Sequence, residues 1–337
     1  MKKTIILAWV AIILFFTACT DSNDNGCVDQ PDISEVAINL EIEYLHDKLL
    51  NVESKEELRS ILKKHRVITT YFLKPEQYPN EDVMIDELFK KFSNPHIDSL
   101  QMEISRVFGN LSTLESDLKD AFSHLKYYYP ETQVPKIKTV ATGFEHDMYI
   151  SDSLIVIGLD FYLGKGAKYR PIGMFNYMLE RYAPEYIAPS IMLLYGISSE
   201  YNKTDLSDNT MLADMVAYGK SFVFAKHMMP CTPDSIMIWY TGKEVAGVHA
   251  NEDLIWAHFV EEELLFENNH MIKKKYIDPR PKTYEIGEKA PGRIGTWLGW
   301  QIVRSYMDQK SMSLTEVMKQ RDPRALFNES KYRPSKK

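Results

Sequence analysis

The sequence predicts a mainly helical α+β protein with a small β-sheet. Most apolar residues recur at three- and four-residue spacings, which are typical of helices with one buried face. Residues 36–44 and the stretch 135–162 instead show the alternation or the β-branched enrichment that is typical of strands. With 45% apolar residues among 337 and no internal repeat, the chain can build one large hydrophobic core.

The chain begins with the features of an exported lipoprotein. Lys2 and Lys3 precede a 12-residue apolar run, residues 5–16, which is shorter than the roughly 20 residues that span a bilayer but is typical of a secretory signal. The run ends in Thr17-Ala18-Cys19, which resembles a bacterial lipobox. We therefore predict a lipoprotein signal peptide over residues 1–18 and acylation of Cys19, which would attach the chain to a membrane. An ordinary cleaved signal with a chance cysteine is the alternative.

Residues 19–30 predict a flexible tether between the lipid anchor and the body. They are mostly small and polar, with little to bury. Cys27 lies in this tether, and Cys231 lies between two prolines much later in the chain. Export permits a disulfide between them, but two isolated cysteines leave the pairing open. The body, residues 31–337, is predicted to be one domain.

The first half of the body combines helices with the strands of the sheet. Residues 36–44 alternate apolar and polar side chains and predict the opening strand. Ser54 stands three residues before Glu57, which predicts a capping box and a helix that ends near His65. The remaining predictions here are helices at 81–92, 97–107 and 112–127, followed by two or three strands within 135–144 and 148–162.

The second half is predicted to be helical, with segments at 172–181, 185–197, 206–227, 251–268, 292–309, 312–319 and 323–329. The 292–309 segment contains Gly295 and Gly299, whose four-residue spacing places them on one helix face. Because glycine has no side chain, another backbone can approach such a face closely. We predict that Gly295 and Gly299 form a helix-packing site in a central core helix.

Charge and motifs argue against several functions. A formal net charge of -7 provides no positive field for a phosphate backbone, so we predict no nucleic-acid partner. The nine histidines form no His-Glu-x-x-His motif, and no nucleophile elbow or phosphate-binding glycine motif occurs. Glu261-Glu262-Glu263, close to His258, suggests a metal cluster, but consecutive glutamates point in different directions and favour a solvated acidic face. We predict no metal, no cofactor and no catalytic residue.

Several segments together resemble one known family. They are Ile-Val-Ile-Gly-Leu-Asp-Phe-Tyr-Leu-Gly at 155–164, Ala-Pro-Gly-Arg-Ile-Gly at 290–295, Trp-Gln-Ile-Val-Arg-Ser-Tyr-Met at 300–307 and Phe-Asn-Glu-Ser-Lys-Tyr-Arg-Pro at 327–334. Beside the lipobox, they are similar to the gliding motility-associated lipoprotein GldB family of the Bacteroidetes over nearly the whole mature chain. The resemblance implies a cell-envelope lipoprotein needed for gliding, with other envelope or gliding-machinery proteins as partners and no established catalytic activity.

The order of the predicted elements is also distantly similar to a group of predicted zinc peptidases. In those proteins one helix carries His-Glu-x-x-His and a later helix carries an acidic ligand before glycine. Here these positions fall at Pro189-Ser190-Ile191-Met192-Leu193 and at Tyr218-Gly219, which offer none of the usual zinc ligands. This likeness implies a degenerate zincin-like (gluzincin-like) fold that has lost its metal.

Three functional hypotheses follow. The leading one is a lipid-anchored, noncatalytic cell-envelope component with a periplasmic body that supports the gliding machinery or envelope assembly. The alternative is a metal-dependent hydrolase with an unrecognised active site, for which His249 and His258 are the residues to test. A carbohydrate-binding lipoprotein is a weaker third, because many Tyr and Trp residues fall at helical core spacings.

Overall fold

A computed structural model describes residue 27 and residues 30–334. Within these residues, helices predominate and the strands form one small mixed sheet. The predicted α+β class is therefore confirmed. The described part of the chain contains no helix that is both long and apolar enough to cross a membrane.

The sheet has four strands, which are β1 (Ile42–Tyr44), β2 (Lys136–Val140), β3 (Met148–Ile150) and β4 (Leu154–Gly158). Their order is β1-β2-β4-β3, with β2 parallel to both β1 and β4 and with β3 antiparallel to β4. The central strands are rich in buried β-branched residues, as expected where both faces of a sheet are covered.

The opening strand is shorter than predicted. Residues 36–41 lie outside the sheet, and only Ile42–Tyr44 pairs, with Ile42 opposite Ile137 of β2. Pro135 stands just before β2 and has no N–H to donate, so the ladder cannot extend toward earlier residues. Alternating apolar residues in the unpaired segment, such as Ile38, pack against the core without a strand partner.

Six α-helices occupy the rest of the first half among the residues that the structure describes. They are α1 (Leu45–Leu50), α2 (Lys55–Lys64), α3 (Arg66–Phe72), α4 (Glu81–Phe92), α5 (His96–Phe108) and α6 (Ser112–Tyr128). The Ser54 side chain caps α2 by accepting from the Glu57 N–H at 3.2 Å, as predicted. The Glu57 carboxylate accepts from the N–H of Glu53 at 2.9 Å rather than from Ser54. Helices α1 and α3, which are only one to two turns long, were not predicted.

The second half contains ten α-helices among its described residues. They are α7 (Asn176–Leu179), α8 (Ile187–Ile197), α9 (Met211–Met228), α10 (Asp234–Ile238), α11 (Gly242–Ala250), α12 (Glu252–Glu261), α13 (His270–Ile277), α14 (Ile294–Lys310), α15 (Leu314–Lys319) and α16 (Pro323–Ser330). Within the predicted 172–181 helix, only the residues of α7 are α-helical. The 206–227 helix begins at Met211, because Thr210 is its N-cap. The 251–268 helix breaks at Glu263, whose φ is 53°.

The core of the second half is built around α9 and α14, which pack against each other, with α8 on α9. Trp297 and Trp300 of α14 are almost fully buried. Phe222 of α9 stacks on Trp300 with ring centroids 5.0 Å apart. A disulfide joins Cys27 to Cys231 in the loop after α9, a pairing that the sequence left open.

Candidate functional site

The backbones of α9 and α14 touch where two glycines meet. A Cβ atom on Gly299 would overlap the carbonyl oxygen of Met215, and one on Gly219 would overlap the carbonyl oxygen of Gly299. Gly295 faces α13 instead, where a Cβ atom would lie 3.1 Å from the carbonyl oxygen of Tyr276. The two predicted packing glycines therefore face different neighbours, and the backbone approach of Gly299 requires Gly219, which was not part of the prediction.

A cavity of about 380 Å³ lies beside this crossing, among α7, α8, α9, the end of α10 and the start of α14. Its apolar lining consists of Met148, Met178, Leu193, Leu194, Ile197, Phe222, Trp239 and Pro279. The cavity opens to solvent, because the lining side chains of Leu194 and Tyr218 are 51% and 36% exposed, respectively. The volume and the mostly apolar walls are typical of small-molecule pockets.

Two arginines give this cavity its charge. Arg181 lies just after α7, and Arg293 immediately precedes α14 with a φ of 61°. Both guanidinium groups lie over the Trp239 ring, with their central carbons 4.5 Å and 4.3 Å from its centroid, respectively. The two carbons are therefore no farther apart than the sum of these distances, 8.8 Å. Cation–π contacts of this kind hold a guanidinium in place while its N–H groups stay free to donate.

Neither arginine has a carboxylate partner among the described residues, since no ion pair within 4.0 Å involves Arg181 or Arg293. Nε of Arg181 and Nη1 of Arg293 are buried donors without a hydrogen-bond partner. Arg293 is only 6% exposed. Burial first, and then the charge of Arg181, lowers the pKa of Arg293 to about 10. Burial also lowers the pKa of Arg181. Because arginine pKa values start so high, both groups stay charged at neutral pH.

One carboxylate also lines the cavity, but neutral donors already occupy it. Asp147 Oδ2 accepts from the Tyr182 hydroxyl at 2.7 Å, and its Oδ1 accepts from the Met148 N–H at 2.8 Å. With Arg181, Arg293 and Asp147 as the charged groups of the lining, the cavity has a formal charge of +1. Its chemistry therefore suits a small anion with an apolar part.

Some of the positions where the expected likeness to zinc peptidases would place metal ligands lie at this same cavity. Ser190 and Leu193 of α8 and Tyr218 of α9 all line it, while Ile191 and Met192 are buried in the core. None of these side chains is a usual zinc ligand, so the residues present do not fit that metal. Over residue 27 and residues 30–334, no group of three His, Cys, Asp or Glu residues is arranged to hold a metal ion.

The remaining predicted residues lie elsewhere. His258 Nε2 is 3.0 Å from the Tyr276 hydroxyl, and the His249 ring meets Trp297 edge-on at 5.4 Å. Glu261-Glu262-Glu263 is exposed. Cys19 lies outside the described residues.

Three residues at the centre of the cavity were not predicted from the sequence, namely Arg181, Trp239 and Arg293. Arg293 carried one usable signal, because it is the one charged residue between Lys289 and Arg304, at the start of a helix whose first ten residues are uncharged. Arg181 and Trp239 carried none, since no spacing connects three separate segments of the chain.

Fold and cavity together define a mainly helical α+β protein with a solvent-open, arginine-lined pocket. A family model described as "Gliding motility protein GldB" matches residues 26–334, and the chain belongs to this family. It is thus a gliding motility-related protein of the cell envelope. No curated protein and no solved structure matches the chain.

Proposed function

We propose that this protein is a lipid-anchored, noncatalytic component of the cell envelope that supports the gliding machinery or envelope assembly. Membership of the GldB family supports the role in gliding. Thr17-Ala18-Cys19 at the end of a short apolar run supports acylation of Cys19. The lipid would hold a periplasmic body at the membrane, where it would contact other proteins of the envelope.

The observation that carries the noncatalytic assignment is the chemistry of α8. A catalytic zinc site takes about three protein ligands and a bound water. The segment of α8 where a peptidase would place its first two ligands reads Pro189-Ser190-Ile191-Met192-Leu193, and Ile191 and Met192 are fully buried. Side chains of this kind fill the core between helices and leave no ligand for the metal.

The anchor is tested by Cys19→Ser in the full-length chain, expressed in an organism that processes lipoproteins. We expect acyl labelling to disappear and the body to move to the soluble periplasmic fraction. Cys231→Ser is the matched control, because it removes a different cysteine and should leave acylation intact. Membrane association of the Cys19→Ser chain after a high-salt wash, with no partner protein retained, would contradict the proposal.

The noncatalytic role is tested by metal analysis of the soluble body, begun near Pro31 and free of affinity histidines. We expect no stoichiometric zinc and no chelator-sensitive cleavage of a peptide library. One zinc per chain that is lost on His249→Ala or His258→Ala, together with such cleavage, would favour the metal-dependent hydrolase instead.

A further inference from the structure

The protein alone does not compensate the charges of the arginine pair. Burying a charge without a paired counter-charge costs free energy, and a buried donor without an acceptor adds to that cost. Here two like charges lie at most 8.8 Å apart around one Trp239 ring, and each has an unpaired nitrogen. A fold that needed only to fill this space would be more stable with apolar side chains at both positions.

We propose that the cavity is a binding site for a carboxylate attached to a small apolar group, and that Arg181 and Arg293 are its ligand-binding residues. The carboxylate would accept hydrogen bonds from the two guanidinium groups, and the apolar group would lie along Leu193, Leu194 and Met178. This inference is independent of the proposed role in the envelope.

The protein itself provides no substitute for this anion among its described residues. Asp147, the carboxylate of the lining, is engaged by the Tyr182 hydroxyl and a backbone N–H. The charge of Asp278 affects the pKa of Arg293 less than burial and the charge of Arg181 do, and no ion pair within 4.0 Å joins the two residues. The guanidinium groups are held by ring contacts with Trp239, which occupy their faces and leave their N–H edges to donate.

Charge and wall chemistry favour a carboxylate over a phosphate. The lining has a formal charge of +1, which a carboxylate neutralises and a phosphate dianion would exceed. Most of the wall is apolar, with Phe222 and Ile197 among its side chains, so an ion without an apolar part would leave that surface unused. Arg293 also stands at the N-terminus of the 17-residue helix α14, where the helix dipole adds to the attraction for an anion.

Two sources could supply this chemistry, a free organic acid or the C-terminus of a peptide, and calorimetric titration separates them. The protein is the full mature chain with Cys19→Ser, which needs no detergent. The probes are 4-phenylbutyrate and N-acetyl-Leu-Phe with a free carboxylate, each compared with its neutral amide, and inorganic phosphate. We expect at least one carboxylate to bind at least tenfold more tightly than its amide and than phosphate. The preferred probe identifies the source.

Three variants test whether the carboxylate probe binds in the cavity. Arg181→Gln and Arg293→Gln should each weaken binding of the preferred carboxylate at least tenfold. Ser190→Phe should do the same while keeping both cations, because the new ring fills part of the cavity. Arg106→Gln, on the surface of α5 and paired with Glu103, is the matched control and should bind like the unsubstituted chain.

Several results would overturn the proposal. They are the binding of neither carboxylate, equal binding of an amide, phosphate binding as tight as that of both carboxylates, or unchanged binding in a folded Arg181→Gln or Arg293→Gln variant. Circular dichroism checks the folding of each variant. If an arginine variant does not fold, the result with Ser190→Phe decides, and unchanged binding there would refute the assigned location.

Discussion

Replacing Arg293 by methionine should stabilise the protein. The guanidinium is buried and has no carboxylate partner among the described residues. Methionine has a similar length and fills irregular apolar space. The variant therefore removes a desolvated charge and keeps most of the packing of the side-chain stem.

The magnitude follows from the pKa of Arg293, which burial lowers from its ordinary value to about 10. A shift of that size corresponds to roughly 3 kcal/mol against the charged form. Loss of the cation–π contact with Trp239, at 4.3 Å from the ring centroid, offsets about 0.5 to 2 kcal/mol. The free energy of unfolding should therefore rise by roughly 1 to 3 kcal/mol, which raises the melting temperature by a few degrees.

The pH dependence of this gain has a definite sign. The pKa of Arg293 is lower in the folded than in the unfolded chain, so below pH 10 the group is charged in both states and the full penalty is present. The penalty diminishes only as the pH rises from about 10 toward the ordinary pKa of arginine. The stability gained by Arg293→Met should thus be the same at pH 6 and at pH 8.

Urea unfolding of the mature Cys19→Ser chain, followed by circular dichroism, measures this effect. Arg106→Met is the matched control. It removes an exposed arginine that is paired with Glu103 at 2.9 Å, so it should change the free energy of unfolding by less than about 1 kcal/mol. A loss of more than about 1 kcal/mol in Arg293→Met would refute the reasoning, because it would show that Arg293 stabilises the empty fold.

Three further predictions concern the core and the disulfide. Gly299→Ala should lower the free energy of unfolding by roughly 1 to 3 kcal/mol, because its Cβ atom would overlap the Met215 carbonyl oxygen. In the same urea assay, Gly247→Ala in α11, where the new Cβ would have nothing within 4 Å, should raise it by about 0.5 to 1 kcal/mol. Burial lowers the pKa of Lys220 from 10.5 to about 7, so the unfolded chain binds more protons above pH 7 and the stability of the natural chain should rise there with pH. Lys220→Met should remove that rise. Urea unfolding curves of both chains at pH 7 and at pH 9 measure it. The free energy of unfolding of Lys220→Met minus that of the natural chain should fall by up to about 2 kcal/mol between these pH values. Peptide mapping without reductant should recover Cys27 linked to Cys231, and Cys231→Ser should cost roughly 2 to 4 kcal/mol in urea unfolding.

Each of these predictions has a contradicting result. An unchanged free energy of unfolding in Gly299→Ala would mean that the backbones of α9 and α14 leave room for a Cβ atom at this position. Parallel pH curves for Lys220→Met and the natural chain would mean that the Lys220 ammonium is stabilised in the fold beyond its bonds to Thr204 and the Gln320 carbonyl. Free Cys27 and Cys231 in the exported protein would rule out the bridge.

Local signals predicted those elements that local interactions determine. Ser54 caps α2 because a side-chain oxygen three residues before an N–H is within reach whatever the rest of the chain does. The opening strand was predicted too long, because its length depends on the partner strand, which Pro135 precedes. Helices α1, α3, α10, α11 and α13 were not predicted, since the longest of them has only nine residues and such short helices show little of the helical period.

The sequence by itself determined the class of the fold, the family resemblance, the four-residue spacing of Gly295 and Gly299, and the lack of a His-Glu-x-x-His motif. Only the tertiary structure decided that Gly219 is the partner of Gly299 and that Arg181 and Arg293 meet at Trp239. The physical reason is that periodicity reports which face of one helix is buried, whereas a cavity forms where several elements pack. Its residues come from distant segments, which meet only in the folded chain.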